Sequence, residues 1–197
     1  MLQGPDPRGP LRIAYLTYRG KPHVGGQGVY TRHLTKALAD LGHHVEVFGG
    51  QPYPVLDPRV PLHRLPSLDI FNDLYPGRFP AYWELRSWPD VVEAAEFLRG
   101  RFGEPRAFSI RAARALRARR GDFDLVHDNQ CLGTGILAID RMLPTVVTLH
   151  HPITKDRELE MSHARSWWRR RAIGRWYGFV GMQARVARRM PRIVVVS

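Results

Sequence analysis

RIAYLTYRGKPHVGGQGVYTRHLTKALADLGHHVEVFGG, from Arg12 to Gly50, changes rhythm twice. It opens on a short run of apolar, β-branched and aromatic residues, Arg12 to Tyr18, which reads as a first buried strand. Arg19 to Gly26 reads as a loop. From Gln27 to Leu41 the residues Val29, Leu34, Ala37, Leu38 and Leu41 recur at helical spacing, and Gly42 supplies a stop. His44 to Phe48 is a second strand, ending at Gly49 and Gly50. Strand, helix and strand in this order make a βαβ unit, in which pattern, stop signal and lengths agree.

Outward from this unit the same alternation returns after a gap. Between Gln51 and Trp88 prolines are frequent and aromatics scattered, with Val60 to Leu65 as the one strand-like run. Such a long excursion points to a functional or mobile segment. Pro89 to Arg101 and Arg106 to Arg120 read as helices, Asp124 to Asp128 as a strand, Leu132 to Met142 as a helix and Pro144 to His150 as a very apolar strand. A helical region from about His163 to Met190, interrupted by Gly174, Gly178 and Gly181, leads to a last strand, Arg192 to Ser197, expected to be buried on both faces. Strands alternating with helices imply an α/β, Rossmann-like, doubly wound and mainly parallel sheet with helices on both faces. Residues 1–11 read as a flexible leader and 12–197 as one domain. A doubly buried last strand normally feeds another helix, so the expectation is one domain of a larger protein.

Composition narrows the classes. The chain has 197 residues, 44% of them hydrophobic, enough for a core. Its net charge of +12 is almost all arginine, since the lysines are Lys21, Lys36 and Lys155. That favours an anionic partner: a nucleotide diphosphate, an anionic membrane surface or nucleic acid. No helix-turn-helix, zinc finger or RNP motif supports nucleic acid. Cys131 is the only cysteine, so no internal disulfide forms, and a reducing compartment is expected. Met1 to Pro10 lacks the apolar core of a signal peptide, and no apolar run is long enough to span a bilayer.

The loop Gly25-Gly26-Gln27-Gly28 lies between the first strand and its helix, where free amides and the positive end of the helix dipole favour an anion. Glycines in such turns also serve packing alone. The spacing is not the G-x-G-x-x-G of dinucleotide folds, and the second strand ends without an acidic residue for a ribose. No Gly-Lys-Ser/Thr follows, which excludes a P-loop.

With Arg12-Ile-Ala-Tyr-Leu-Thr, Gly25-Gly26-Gln-Gly-Val-Tyr-Thr-Arg-His-Leu and Ala37-Leu-Ala-Asp-Leu-Gly-His-His-Val-Glu-Val in order, the opening resembles that of family 4 glycosyltransferases. Asp122-Phe-Asp-Leu-Val-His-Asp-Asn, Pro144-Thr-Val-Val-Thr-Leu-His150 and Pro191-Arg-Ile-Val-Val-Val-Ser197 resemble later strands of the same family. The resemblance is loosest between residues 51 and 120. It implies the N-terminal, acceptor-side half of a GT-B fold, with the C-terminal donor-binding domain absent from these residues. The implied activity is hexosyl transfer with retention, from a nucleotide sugar to a glycan, lipid-linked or small-molecule acceptor, without metal or other cofactor. His150 is the implied catalytic residue, supporting the transferred sugar and its oxocarbenium-like state rather than deprotonating a nucleophile. Gly25, Gly26 and Gln27 are implied to lie against the donor. His127, Asp128, Asn129 and His151 are placed at strand ends, as candidates for lining the substrate pocket. The paired glutamates of such enzymes belong to the other domain, so these residues alone are expected to catalyse nothing.

Two other clusters stand out. His127, Asp128, His150 and His151 fit no zinc spacing, and no metal site is assigned. Trp167, Trp168, Arg169, Arg170 and Arg171 suit a helix lying on an anionic lipid surface, or else one that packs its tryptophans on the core and solvates its arginines. The expected location is the cytoplasm, with the inner face of the membrane as a peripheral site. The alternative to an enzyme domain is a non-catalytic binding or membrane-surface domain of the same fold.

Overall fold

The computed structural model describes residues 9–21 and 26–196. The expected leader up to residue 8, Gly25 and Ser197 lie outside the described residues. Six strands form one parallel sheet: β1 (Arg12–Thr17), β2 (His44–Gly49), β3 (Leu62–Arg64), β4 (Leu125–Asn129), β5 (Thr145–Leu149) and β6 (Ile193–Val195), in the order β3-β2-β1-β4-β5-β6. The helices are α1 (Gly26–Asp40), α2 (Trp88–Leu98), α3 (Glu104–Ala118), α4 (Thr134–Asp140), α5 (Ile153–His163), α6 (Trp167–Trp176) and α7 (Gly178–Ala187). This is the expected doubly wound Rossmann-like α/β fold.

Period-two alternation in β1 divides the interior. Ile13 and Tyr15 join Val45 and Val47 under Leu34 and Leu38 of α1. Ala14 and Leu16 point the other way, into a larger cluster with Phe108 and Leu116 of α3, Ile136 of α4 and Met182 of α7. Each large side chain buried here contributes about 1.5–3 kcal/mol. Chain direction explains the division. The sheet grows from β1 toward β3, then returns past β1 to β4, and right-handed crossovers in opposite directions put their helices on opposite faces. The reversal between β1 and β4 makes a topological switch point, and open sheets of this type bind ligands at the carboxyl ends of the strands there.

Several elements differ from the sequence reading. In α1 the buried positions include Thr31 and Thr35, whose hydroxyls donate to the carbonyls of Gln27 and Thr31 at 2.7 Å, while Val29 and Leu41 are exposed. Satisfied threonines can therefore take inward positions. The last helical region starts at Ile153 instead of His163, and it breaks around Arg165 and at Tyr177 instead of at Gly174 or Gly181. The last strand was expected to be buried on both faces. Instead Ile193, Val194 and Val195 are exposed, and β6 is the edge strand of the sheet.

Of the two glycines at the start of α1, packing demands Gly28. A Cβ there would lie 2.0 Å from the carbonyl oxygen of Lys21, whereas a Cβ at Gly26 would meet nothing within 4 Å. Gly28→Ala is expected to cost ~1–3 kcal/mol as the loop is pushed off the helix, with a fall of several degrees in Tm by calorimetry. Gly26→Ala should leave Tm nearly unchanged.

Candidate functional site

The carboxyl ends of β1, β4 and β5 and the first turn of α1 converge on His150. The chain leaves β4 through a tight turn in which Gln130 (φ 55°) and Leu132 (φ 48°) are both left-handed. Asp128 holds that turn. Its carboxylate is fully buried and accepts from the backbone N–H groups of Cys131 and Leu132 at 3.3 and 2.9 Å. Burial pushes its pKa up to about 7, against the pull of those two donors. The side chain of Asp128, placed at the pocket by the sequence, is thus spent on the turn.

The turn presents Gln130 to the end of β5. Its Oε1 accepts from the N–H groups of His150 (2.6 Å) and His151 (3.2 Å), and its Nε2 donates to the His151 carbonyl at 2.7 Å. Gln183 of α7 donates in turn to the carbonyls of Gln130 and Cys131. Gln130 and Gln183 were missed by sequence reasoning. Gln183 carried a signal: a polar residue among Val180, Met182 and Val186, on the buried side of its helix.

Asn129 sets the His150 ring. Its Nδ2 donates to Thr31 Oγ1 (3.1 Å) and to the Gln27 carbonyl (3.3 Å), which turns its Oδ1 toward Nε2 of His150. With donors fixed on that side, Oδ1 accepts from Nε2–H. Burial lowers the His150 pKa, which favours the neutral ring, and with Nε2–H given to Asn129 the lone pair lies on Nδ1. The Tyr30 ring braces it edge-on, with centroids 4.5 Å apart.

The remaining predicted residues divide. His127 backs the site: it pairs with Thr148 Oγ1 at 2.6 Å and packs on Tyr15, and burial, reinforced by His150, lowers its pKa to about 4. His151 turns outward to Asp156 of α5 at 2.8 Å. Gln27 contributes its carbonyl to Asn129, and Gly26 leaves open space at the start of α1. Among the described residues no three His, Cys, Asp or Glu side chains group as metal ligands. Cys131 is buried, its thiol donating to the Pro105 carbonyl at 3.1 Å.

Beyond β1, Arg19 donates to the Phe71 carbonyl at 2.8 Å, and its Nε lies 3.5 Å from Glu104 Oε2 without forming a hydrogen bond. Burial pushes Glu104 up to about 8, opposed by Arg19. On α6 the indoles of Trp167 and Trp168 stack 3.5 Å apart and are exposed, as are Arg169, Arg170 and Arg171. The alternative of tryptophans packed on the core is therefore not the arrangement here; Trp176 packs instead, against Phe71 and Phe102. Among the described residues no helix is long and apolar enough to cross a membrane.

The description Glycosyltransferase Family 4 matches residues 24–197. The chain belongs to that family. It is 57% identical over 189 residues to a protein of Mycolicibacterium hassiacum named MMP alpha-(1->4)-mannosyltransferase, covering 95% of this chain. The chain spans less than half, 46%, of that relative's length. A solved structure described as LpCGTa in complex with UDP aligns with a TM-score of 0.43 at 12% identity, over 95% of this chain and 47% of that one.

Glu104 gives a pH dependence with a definite sign. Unfolded, a glutamate loses its proton near pH 4.3; folded, Glu104 keeps it to about 8. Between these values the native state holds a proton that the unfolded state has released, so stability falls as pH rises through this window. The urea midpoint of the wild type should drop more between pH 5 and pH 8 than that of Glu104→Gln. Parallel pH profiles would refute the assignment.

Proposed function

We propose that this chain is the acceptor-side domain of a retaining glycosyltransferase that moves a mannosyl group from a nucleotide-diphosphate donor to a sugar hydroxyl. The observation that carries this reading is the placement of His150, its ring bonded to Asn129 and its backbone N–H to Gln130, beside the first turn of α1, where Gly26 leaves open space. Membership of Glycosyltransferase Family 4 supports the reaction class, and the relative named as a mannosyltransferase supports the sugar.

In this reading Gly25, Gly26 and the amide of Gln27 receive the donor diphosphate, its charge met by the positive end of α1 instead of by a metal. Nδ1 of His150 accepts a hydrogen bond from a hydroxyl of the transferred sugar. The ring is a fixed dipole against developing oxocarbenium charge, not a base. His127 and Asp128 support the strand ends from behind. A second, donor-binding domain completes the site, and the present residues alone transfer nothing. The setting that suits a nucleotide-sugar donor is the cytoplasm.

A second contact has its own support. The exposed stacked pair Trp167–Trp168 followed by three arginines suits an anionic membrane face.

Full-length protein given nucleoside-diphosphate mannose and a mannosyl acceptor should release nucleoside diphosphate. His150→Ala should lower kcat by about 10²–10³ with little change in KM for the acceptor. A kcat within about twofold of wild type would remove His150 from the reaction. Separately, binding to vesicles containing anionic lipid should weaken with salt and be lost on replacing Arg169, Arg170 and Arg171 by glutamine. Binding insensitive to both changes would exclude the membrane contact.

A further inference from the structure

Beyond β3, at the outer end of the sheet's carboxyl edge, a cavity of about 400 Å³ opens between the segment after β3 and the helices α2 and α3. Leu65, Ser67, Leu68, Arg86, Asp90 and Arg111 are among its walls. Arg111 is its fixed point. The side chain is 9% exposed, and one nitrogen, Nη2, serves both Asp90 (2.6 Å) and Glu93 (2.7 Å). Nε and Nη1 of Arg111 have no hydrogen-bond partner among the described residues, so three N–H donors of a rigid group remain beside the cavity.

Charge indicates the class of occupant. In a chain of net charge +12, this lining balances Arg86 and Arg111 against Glu84 and Asp90. A phosphate or carboxylate would face two acids, whereas a neutral polyhydroxyl ligand can donate to the acids and accept from the arginines. The segment that lines the cavity also carries large exposed rings. Trp83 and Trp88 are 66% and 64% exposed, and they flank the lining residues Glu84, Arg86 and Ser87 along the chain. Exposed indoles on the segment that supplies a cavity's polar groups suit pyranoses, which have apolar C–H faces and polar edges. A membrane does not suit this segment: acids and bases alternate around it, Asp73, Arg78, Glu84, Arg86 and Asp90, unlike the purely basic run after Trp168.

Distance indicates its extent. β3 lies four strand spacings from β5, which carries His150 at its end, or about 19 Å along the sheet edge. A sugar in this cavity cannot be the one that reacts at His150.

We propose that this cleft is a distal acceptor subsite that holds a neutral, linear oligosaccharide several units away from its reacting hydroxyl. The proposal rests on the glycosyltransferase reading above and adds acceptor length as the quantity recognised. Binding energy gathered at the cleft holds the far end of the chain in place, and short acceptors forgo it.

The test uses full-length protein and linear α-1,4-linked manno-oligosaccharides, from mannose up to about six units. Affinity without donor is read by calorimetry, and acceptor KM is read with donor. Affinity should rise with length until the chain spans the edge. The Trp83→Ala/Trp88→Ala double variant, altered only at exposed rings, should raise Kd and KM about tenfold for the long members and leave mannose and the disaccharide unchanged. Equal losses at every length, unchanged affinity for long members, or loss of vesicle binding in place of sugar affinity would each overturn the subsite. Length-dependent binding without mannosyl transfer would refute the proposed reaction and leave the subsite standing. Transfer with a length-independent KM would do the reverse.

Discussion

The side-chain amide of Gln130 ties two strand ends together, and the site depends on that tie. One carboxamide accepts two backbone N–H groups beyond β5 and donates to a carbonyl there, while its own backbone is left-handed at the end of β4. Both halves of the amide are used, so the group cannot flip without breaking contacts. A left-handed residue other than glycine costs about 1 kcal/mol or more, which the surrounding bonds must offset. Asp128 and Gln183 supply those bonds from the interior. Hence the position of His150 derives from the sheet core and α7, not from the exposed loop after β5.

The βαβ opening was legible because three independent signals coincide there: alternation in β1, helical spacing with a glycine stop, and a second short apolar run. The C-terminal third was less legible. Ile153–His163 is helical with no buried residue, so it has no apolar stripe to reveal it. The apolar run of β6 reads as doubly buried only on the assumption that neighbours cover it, and a one-dimensional pattern cannot state whether they do. α1 shows the opposite failure, since threonines that bond their own helix pass for solvent-facing residues until the packing is seen.

The site shows a similar division. His150 and the glycine-rich turn lie at strand and helix ends, which periodicity locates well. Asp128 also lies at a strand end, but direction matters as much as position: it points into the core, whereas Asn129, the next residue, points to His150. Gln130, Arg111 and Glu104 gain significance only from partners between 18 and 85 residues away in sequence, such as Glu93 for Arg111 and Arg19 for Glu104. No local motif announces contacts of that range. Local composition revealed the basic character of α6, but the stacking of its indoles in solvent is a matter of geometry.

The proton on Nε2 of His150 has a further consequence. Asn129 takes up that side of the ring, and burial lowers the ring's pKa, so the nitrogen left for a ligand is Nδ1. A residue that trades protons must be restored before it can act again. In the function proposed above, a ring that lends only its lone pair begins and ends each event in the same state, and is ready as soon as the ligand leaves.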